Sequence, residues 1–403
     1  MFDFKSFFHS DIKPATGRWT GFPSYNFIGG HNDETMVPVE ALRASADKVM
    51  REHGSRLATY GLGDGPLGLH SLREFIANAL ETRASMPTDP DNILLVSGSL
   101  QALDLVNETL LREGDIVIME ESTYGGVISR FQHLKVQIIG IRVNEDGMDL
   151  DHLETELETL KAAGKAPRYI YTIPTIHNPT GTIMPTQRRQ QLLALATRYK
   201  VPIFEDDCYA DLIFDDQRPP TIRSLDDSGR VIYCGSFSKT IAPALRVGYL
   251  VADWPFLSRA ASYKTDAGSG ALEQLILADF CPQSFDRHVD KLNAHLSRKC
   301  TAICEALDRN FGTTASYFRP KGGIFIWVTL DKSIDILRLT EEAGKQGVAI
   351  NAGPEWSIGA EAGYQMRLCF GYPDIADIKE GVEKLAEICQ HHFGLPKQIS
   401  NQG

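Results

Sequence analysis

Residues 231–250, VIYCGSFSKTIAPALRVGYL, decide how the chain reads. An apolar run passes into serines and then into Lys239, with small residues around it and Arg246 seven positions on. Lysine is rarely buried without a partner, so an ammonium at the end of a strand that reads as buried needs a chemical reason.

The same texture extends to both sides. ILLVSG (93–98), DIVIME (115–120), VQIIGIRV (136–143), RYIYTI (168–173), VPIFEDD (201–207), VIYCGSF (231–237) and GYLVA (248–252) are short Val- and Ile-rich runs without strict alternation. Helical patterns such as LQALDLVNETLLREG and RRQQLLALATRYK separate them. Strands of this kind are covered on both faces, which predicts an α/β fold built on a mostly parallel seven-stranded sheet sandwiched by helices. After about residue 285 long charged helices, FDRHVDKLNAHLSRKCTAICEALDRNFG and IADIKEGVEKLAEICQHHF, surround alternating strands, GGIFIWVTL and YQMRLCFG. They read as a second, smaller α+β unit, and with no flexible linker the two units are expected to pack together.

Composition narrows the ligand class. The 403 residues suit one large and one smaller domain, and 43% hydrophobic with 23% charged residues is ordinary for a soluble globular protein. With a net charge of -11 and no long Lys/Arg block, nucleic acid and anionic membrane surfaces are poor partners. No apolar stretch approaches a membrane span and the N-terminus lacks a signal-like apolar core, so the expected location is the cytoplasm. Seven scattered cysteines do not resemble a disulfide framework; Cys300 and Cys304 lie a helical turn apart without further ligands at metal-site spacing, so no metal is expected. His391 and His392 read as surface residues.

In open α/β sheets ligands sit beyond the carboxyl ends of the strands, where SGSLQ (97–101), HNPTG (177–181), EDDCYAD (205–211) and GSFSK (235–239) all fall. Ser97, Gly98, Ser99, Leu100 and Gln101 open a helix and offer hydroxyls, backbone N–H groups and the positive helix end to an anion, although a serine there also simply caps a helix. Lys239 with Ser236, Ser238 and Arg246 combines a nucleophilic amine with phosphate donors and points to a phosphorylated aldehyde; in isolation SK after a strand is commonly a surface loop. Asp206 is placed to keep a ring nitrogen protonated, while Tyr209 and the Asn178 amide are placed to hold a ring oxygen. Each fragment also has a plainer reading, as helix cap, core tyrosine or Asn-Pro turn.

Taken together, YGLGDGPLGLHSLREFIA, LLVSGSLQALDL, IPTIHNPTG, IFEDDCYADL, GSFSKTIAPALRVGYL and MRLCFG resemble, in order and spacing, the class I/II aminotransferase family of fold-type I pyridoxal-phosphate enzymes, and most of all its 2-aminoadipate aminotransferase group. The likeness runs from about residue 25 to 390. It implies residues 46–285 as the large cofactor-binding domain, and 1–45 with 286–403 as the small domain carrying an N-terminal substrate-covering segment. It implies that Lys239 forms a Schiff base with pyridoxal 5'-phosphate and shuttles a proton, that Asp206 pairs with the pyridinium, and that Asn178 and Tyr209 bind its ring oxygen. Tyr124 of ESTYGG would stack on the ring, and Ser99, Leu100, Gln101, Ser236, Ser238 and Arg246 would hold the phosphate end together with Tyr60 of the partner subunit in a homodimer. Arg367 would clamp the α-carboxylate of an amino acid or 2-oxo acid, such as 2-oxoglutarate or pyruvate.

The N-terminal segment departs from that pattern. FIGGHNDETMVP places His31 and Asn32 after Gly30 where the group usually continues into a proline. His31 then becomes a candidate substrate contact or extra acid/base, which keeps open an elimination, cyclisation or oxidation of the amino acid instead of transamination; a surface histidine is the plainer reading. Arg18 and Asn32 are further side-chain selectors. A sensor role, as in transcription regulators that carry an aminotransferase-like domain behind a winged helix, is not expected from a chain that opens on the family's own N-terminal segment.

Overall fold

The computed structural model describes residues 2–9, 12, 15–19, 21–214 and 217–396; the outermost ends of the expected small domain lie outside the described residues. Seven strands form the main sheet: β1 (Ile93–Val96), β2 (Ile116–Glu120), β3 (Gln137–Ile141), β4 (Tyr169–Thr172), β5 (Ile203–Asp206), β6 (Val231–Ser236) and β7 (Gly248–Val251). Their order is β1-β7-β6-β5-β4-β2-β3, with β7 antiparallel to both neighbours and every other pairing parallel. Each of the seven runs read as a strand is one. β1, β2 and β4 are buried along their whole lengths and β5, β6 and β7 at all but one residue each, whereas the edge strand β3 is largely part-exposed, as helices on both faces of a parallel sheet require.

The crossover helices bury one stripe each. In Leu150–Ala162 the buried residues Leu150, Leu153, Leu157 and Leu160 recur at three- and four-residue intervals, and Asp149 caps the helix by accepting a hydrogen bond from the His152 N–H.

A four-stranded antiparallel sheet, β8 (Ala315–Ser316), β9 (Phe325–Leu330), β10 (Asn351–Ala352) and β11 (Gln365–Cys369), forms the smaller unit in the order β8-β9-β11-β10. It packs with the helices Ile336–Lys345 and Ile375–Phe393 around Ile326, Val328, Met366, Leu368 and Leu385. The helix Ala271–Phe311 joins the units. Its first part packs through Leu275 and Val289 beside the main sheet, its middle through Leu292 and Leu296, and its last part through Ile303 and Leu307 into the small unit. Position 285/286, the boundary read from the change of sequence texture, falls inside this helix, which begins at Ala271 because ALEQLILADF supplies an apolar face of its own.

The N-terminal segment is tied to both units. Tyr25–Asn26 pair in parallel with Val348–Ala349, and Phe27 is fully buried in the small unit's core. Further along, Asn32 Nδ2 donates to the carbonyls of Ser238 and Lys239 at 3.2 and 3.3 Å. Asp33 meets buried Lys299 and, at 2.8 Å, His295. Burial alone would raise the Asp33 carboxyl, but hydrogen bonds from Lys299, Thr35 and His295 hold it well below the usual carboxylate range.

One buried arginine fixes the loop after β4. Arg189 is fully buried on the helix Thr186–Tyr199 and donates to the carbonyls of Met184 (2.8 Å) and Pro174 (2.9 Å) and to Thr175 Oγ1 (2.9 Å). Glu205 lies 3.7 Å away and accepts from the N–H groups of Ile222 and Arg223. Replacing Arg189 by Ala strands four acceptors, the Pro220 carbonyl at 3.3 Å among them, and a buried carboxylate, so the unfolding free energy measured in urea is expected to fall by about 3–5 kcal/mol. Removing Arg43, exposed and, among the described residues, paired only with Glu40 three residues away, is expected to leave the urea midpoint in place.

Candidate active site

A cavity of about 300 Å³ opens between the units at the carboxyl ends of β1, β4, β5 and β6. It brings together Gly30, Ser99, Leu100, Tyr124, Asn178, Asp206, Tyr209, Ser236, Ser238, Lys239, Arg246 and Arg367. The lysine of the opening stretch is therefore where four separate loops converge.

At one end, Ser99 begins the helix Ser99–Leu110 and faces Ser236, Ser238 and Arg246. The Ser236 hydroxyl lies 3.0 Å from that of Ser238 and accepts the Ser238 N–H at 3.1 Å. Arg246 donates to the Ser97 carbonyl at 3.0 Å. This approach needs glycine at position 98: φ there is +84°, and a Cβ would stand 2.2 Å from Arg246 Nη2. No carboxylate pairs with Arg246 among the described residues. A cation, hydroxyls and a helix N-terminus without a counter-anion suit a phosphate.

At the floor, Asp206 is buried and accepts from the Tyr171 hydroxyl at 2.7 Å. Burial pushes its carboxyl above the usual range, against hydrogen bonds from Cys208 and Tyr171 that pull it down. No cation pairs with it among the described residues, so a protonated ring nitrogen would complete it. The Asn178 amide donates toward the Tyr209 hydroxyl at 3.4 Å, and the Tyr124 ring lies 5.7 Å from that of Trp356.

Lys239 Nζ donates to the Gly30 carbonyl at 2.5 Å, and burial pulls its pKa down to about 8. Arg367, on β11, is 1% exposed and lies between two aromatic faces, 3.4 Å from the Trp356 ring centroid and 3.9 Å from that of Phe325. It donates to Asn351 Oδ1 (2.8 Å), Asn178 Oδ1 (3.2 Å) and the Gly29 carbonyl. Its Nε has no partner among the described residues, and burial lowers its pKa to about 10. A buried guanidinium satisfied by neutral oxygens alone is arranged for an incoming carboxylate. The residues present thus fit pyridoxal phosphate at every point where it carries charge.

Five expected residues, Gln101, Tyr60, His31, Arg18 and Asn32, stand outside the cavity lining. Gln101 clasps the turn beneath the site, accepting from the Ser97 N–H at 2.7 Å and donating to Asp266 at 2.6 Å. Tyr60 is 86% exposed on a short 3-10 turn. His31 packs against the rings of Phe22 and Tyr372, and burial followed by the Lys239 charge lowers its pKa. Arg18 is exposed as well. The sequence reading missed Phe325, Asn351 and Trp356, which shape the Arg367 end; they come from the small unit, and only the alternation in GGIFIWVTL hinted at Phe325.

Residues 24–385 match the family described as aminotransferase class I and II. The chain belongs to this family, and pyridoxal phosphate is its cofactor. It is 32% identical over 365 residues to aromatic-amino-acid aminotransferase 1 of Thermococcus litoralis, covering 90% of this chain and 87% of that one. The multiple substrate aminotransferase of Thermococcus profundus superposes with a TM-score of 0.90 at 32% identity, over 97% of this chain and 99% of that one. The α-aminoadipate aminotransferase of Thermus thermophilus, solved with N-(5'-phosphopyridoxyl)-L-leucine, gives 0.84 at 31% identity over 91% and 92% of the two chains. The protein is an aminotransferase, and these relatives do not favour the eliminating, cyclising or oxidising alternative. No helix of the described residues is long and apolar enough to cross a membrane.

The lowered pKa of Lys239 has a direct readout. An amine is nucleophilic only when neutral, so acylation of Lys239 in the cofactor-free chain, followed by peptide mass spectrometry, is expected to reach half its maximal rate near pH 8 rather than near the ordinary lysine value of 10.5. A midpoint near the ordinary value contradicts the desolvated environment.

Proposed function

We propose that this chain moves the amino group of an L-amino acid to a 2-oxo acid, with 2-oxoglutarate or pyruvate as acceptor, and that Lys239, Asp206 and Arg367 carry the reaction. The observation that supports this most is the trio around one cavity: an amine whose pKa is pulled down to about 8, and, among the described residues, a carboxylate without a cation and a guanidinium without an anion. Pyridoxal phosphate, when bound, supplies an aldehyde that condenses with amines and a ring that accepts the electrons released at the substrate Cα.

The chain's own residues then divide the work. Arg367 holds the α-carboxylate in a bidentate fork, exchanging the Gly29 carbonyl for a charged acceptor. The aromatic faces of Trp356 and Phe325 keep the guanidinium in plane and exclude water from that pair. Lys239 Nζ takes and returns the proton at Cα, a task suited to a pKa near the working pH. Asp206, oriented by Tyr171, holds a proton on the ring nitrogen. Asn178 and Tyr209 hold the ring oxygen, Tyr124 covers one ring face, and Ser99, Ser236, Ser238 and Arg246 hold the phosphate. Gln101 supports that turn from behind.

Tyr60 is proposed to complete the phosphate site of a second copy in a homodimer, which would account for a tyrosine so fully exposed on one chain. Seven free cysteines suit a reducing, cytoplasmic setting.

Borohydride reduction with pyridoxal phosphate present is expected to fix the cofactor on the Lys239 peptide alone, and Lys239→Ala to lower kcat by on the order of a thousandfold. Arg367→Ala is expected to raise KM for donor and acceptor alike by about tenfold to 150-fold, the equivalent of roughly 1.5–3 kcal/mol for a charge-assisted hydrogen bond. Label elsewhere, or turnover unchanged in Lys239→Ala, overturns the assignment.

A further inference from the structure

We propose that Asp206, Cys208 and Cys234 form a binding site for a thiophilic divalent cation such as zinc, accessible when the cofactor is absent and mutually exclusive with it. Sequence spacing hides this set, because Cys208 follows β5 while Cys234 lies within β6. The parallel pairing of β5 with β6 puts Asp206 opposite Cys234, and the chain leaving β5 turns Cys208 back onto the same spot. The carboxylate oxygen and the two sulfurs all lie within 4.8 Å of one another, and all three residues are buried in the same cluster.

The chemistry matches the geometry. Tetrahedral zinc with two thiolates and a carboxylate places its ligands about 3.8 Å apart, from Zn–S bonds of about 2.3 Å, so the side chains need contract by roughly 1 Å at most. Asp206 and Cys208 line the cavity, which leaves the open side for a water as fourth ligand. Tyr171 donates to Asp206 Oδ2 at 2.7 Å and so orients the carboxylate as an outer-sphere partner. Binding converts M²⁺, two thiols and one carboxylate into a complex of net charge −1 and releases two protons. A net negative complex suits a cavity that also contains Lys239, Arg246 and Arg367.

Exclusion of the cofactor rests on the role proposed for Asp206: a carboxylate bound to the metal is not free to hold a protonated ring nitrogen. The set therefore makes the empty site a trap for soft metals, and the cofactor protects its own carboxylate and thiols.

The test uses the full chain stripped of cofactor under reducing conditions, with Co²⁺ as a spectroscopic stand-in for zinc. One cobalt per chain is expected, with the intense near-ultraviolet absorption of thiolate ligation. Preloading with pyridoxal phosphate is expected to abolish that band, and zinc to slow cofactor uptake until a chelator is added. Cys208→Ser and Cys234→Ser should each weaken cobalt binding at least tenfold, while Cys300→Ser and Cys304→Ser leave it unchanged. A complex lacking the thiolate band, or one that persists in the Cys208→Ser and Cys234→Ser chains, overturns the site. If either variant fails to fold, competition in the unsubstituted chain decides: a cobalt band unaffected by cofactor, in protein where borohydride still traps cofactor on Lys239, overturns the exclusion. Failure of the trapping itself counts against the functional reading instead.

Discussion

Tyr171 donates a 2.7 Å hydrogen bond to Asp206, and no cation among the described residues answers that carboxylate from the cavity side. A buried carboxylate in that position is expensive, because neutral hydrogen bonds such as those from Tyr171 and Cys208 recover only part of the hydration it has lost. The fold bears the cost by building everything near it rigidly: β5 lies between β4 and β6 in the middle of the sheet, and Tyr171 projects from β4 beside it. A central strand holds the carboxylate while its cavity side stays open, and Ser236 and Ser238 are positioned from the end of the neighbouring strand β6.

Two fully buried arginines illustrate how the same side chain serves stability or chemistry. Arg189 is saturated: its donors reach Met184, Pro174 and Thr175, and Glu205 stands nearby. Nothing remains for a ligand, and the result is a loop after β4 held fast enough to present Asn178. Arg367 is also wrapped in oxygens, but all are neutral, and its Nε is left over. Burial lowers its pKa to about 10, an unfavourable charge burial that the proposed α-carboxylate would relieve. The difference lies in whether the counter-charge belongs to the chain.

The large unit was legible in the sequence because its signals are local. Each inner strand is a contiguous apolar run, each site cluster follows such a run directly, and the preference of ligands for the carboxyl ends of strands in open sheets then carries Ser99, Asn178, Asp206 and Lys239 to one crevice without tertiary knowledge. The Arg367 end was legible only in part. Arg367 stands in MRLCFG, yet its aromatic sandwich comes from Trp356 in a short turn and Phe325 across the β9–β11 pairing, contacts that no local pattern encodes. Gln101 shows the opposite difficulty: its place in SGSLQ is right for a phosphate contact, but Asp266, far along the chain, draws its amide away.

His31 depends on the same kind of non-local contact. Its neighbours in the chain are all engaged with the site: Gly29 and Gly30 offer carbonyls to Arg367 and Lys239, and Asn32 holds the backbone of Ser238 and Lys239. Asp33, clamped by Lys299 and His295, fixes the far end of this short segment. With these anchors set by backbone carbonyls and short polar side chains, the His31 ring is directed to the apolar contacts left over, Phe22 and Tyr372. The glycines carry the constraint. Gly29 lies at φ +76°, where a Cβ would strike the His31 ring, and a Cβ on Gly30 would stand 2.8 Å from Lys239 Nζ. The segment approaches the lysine this closely because it has no side chains there, while the His31 ring rests on Phe22 and Tyr372.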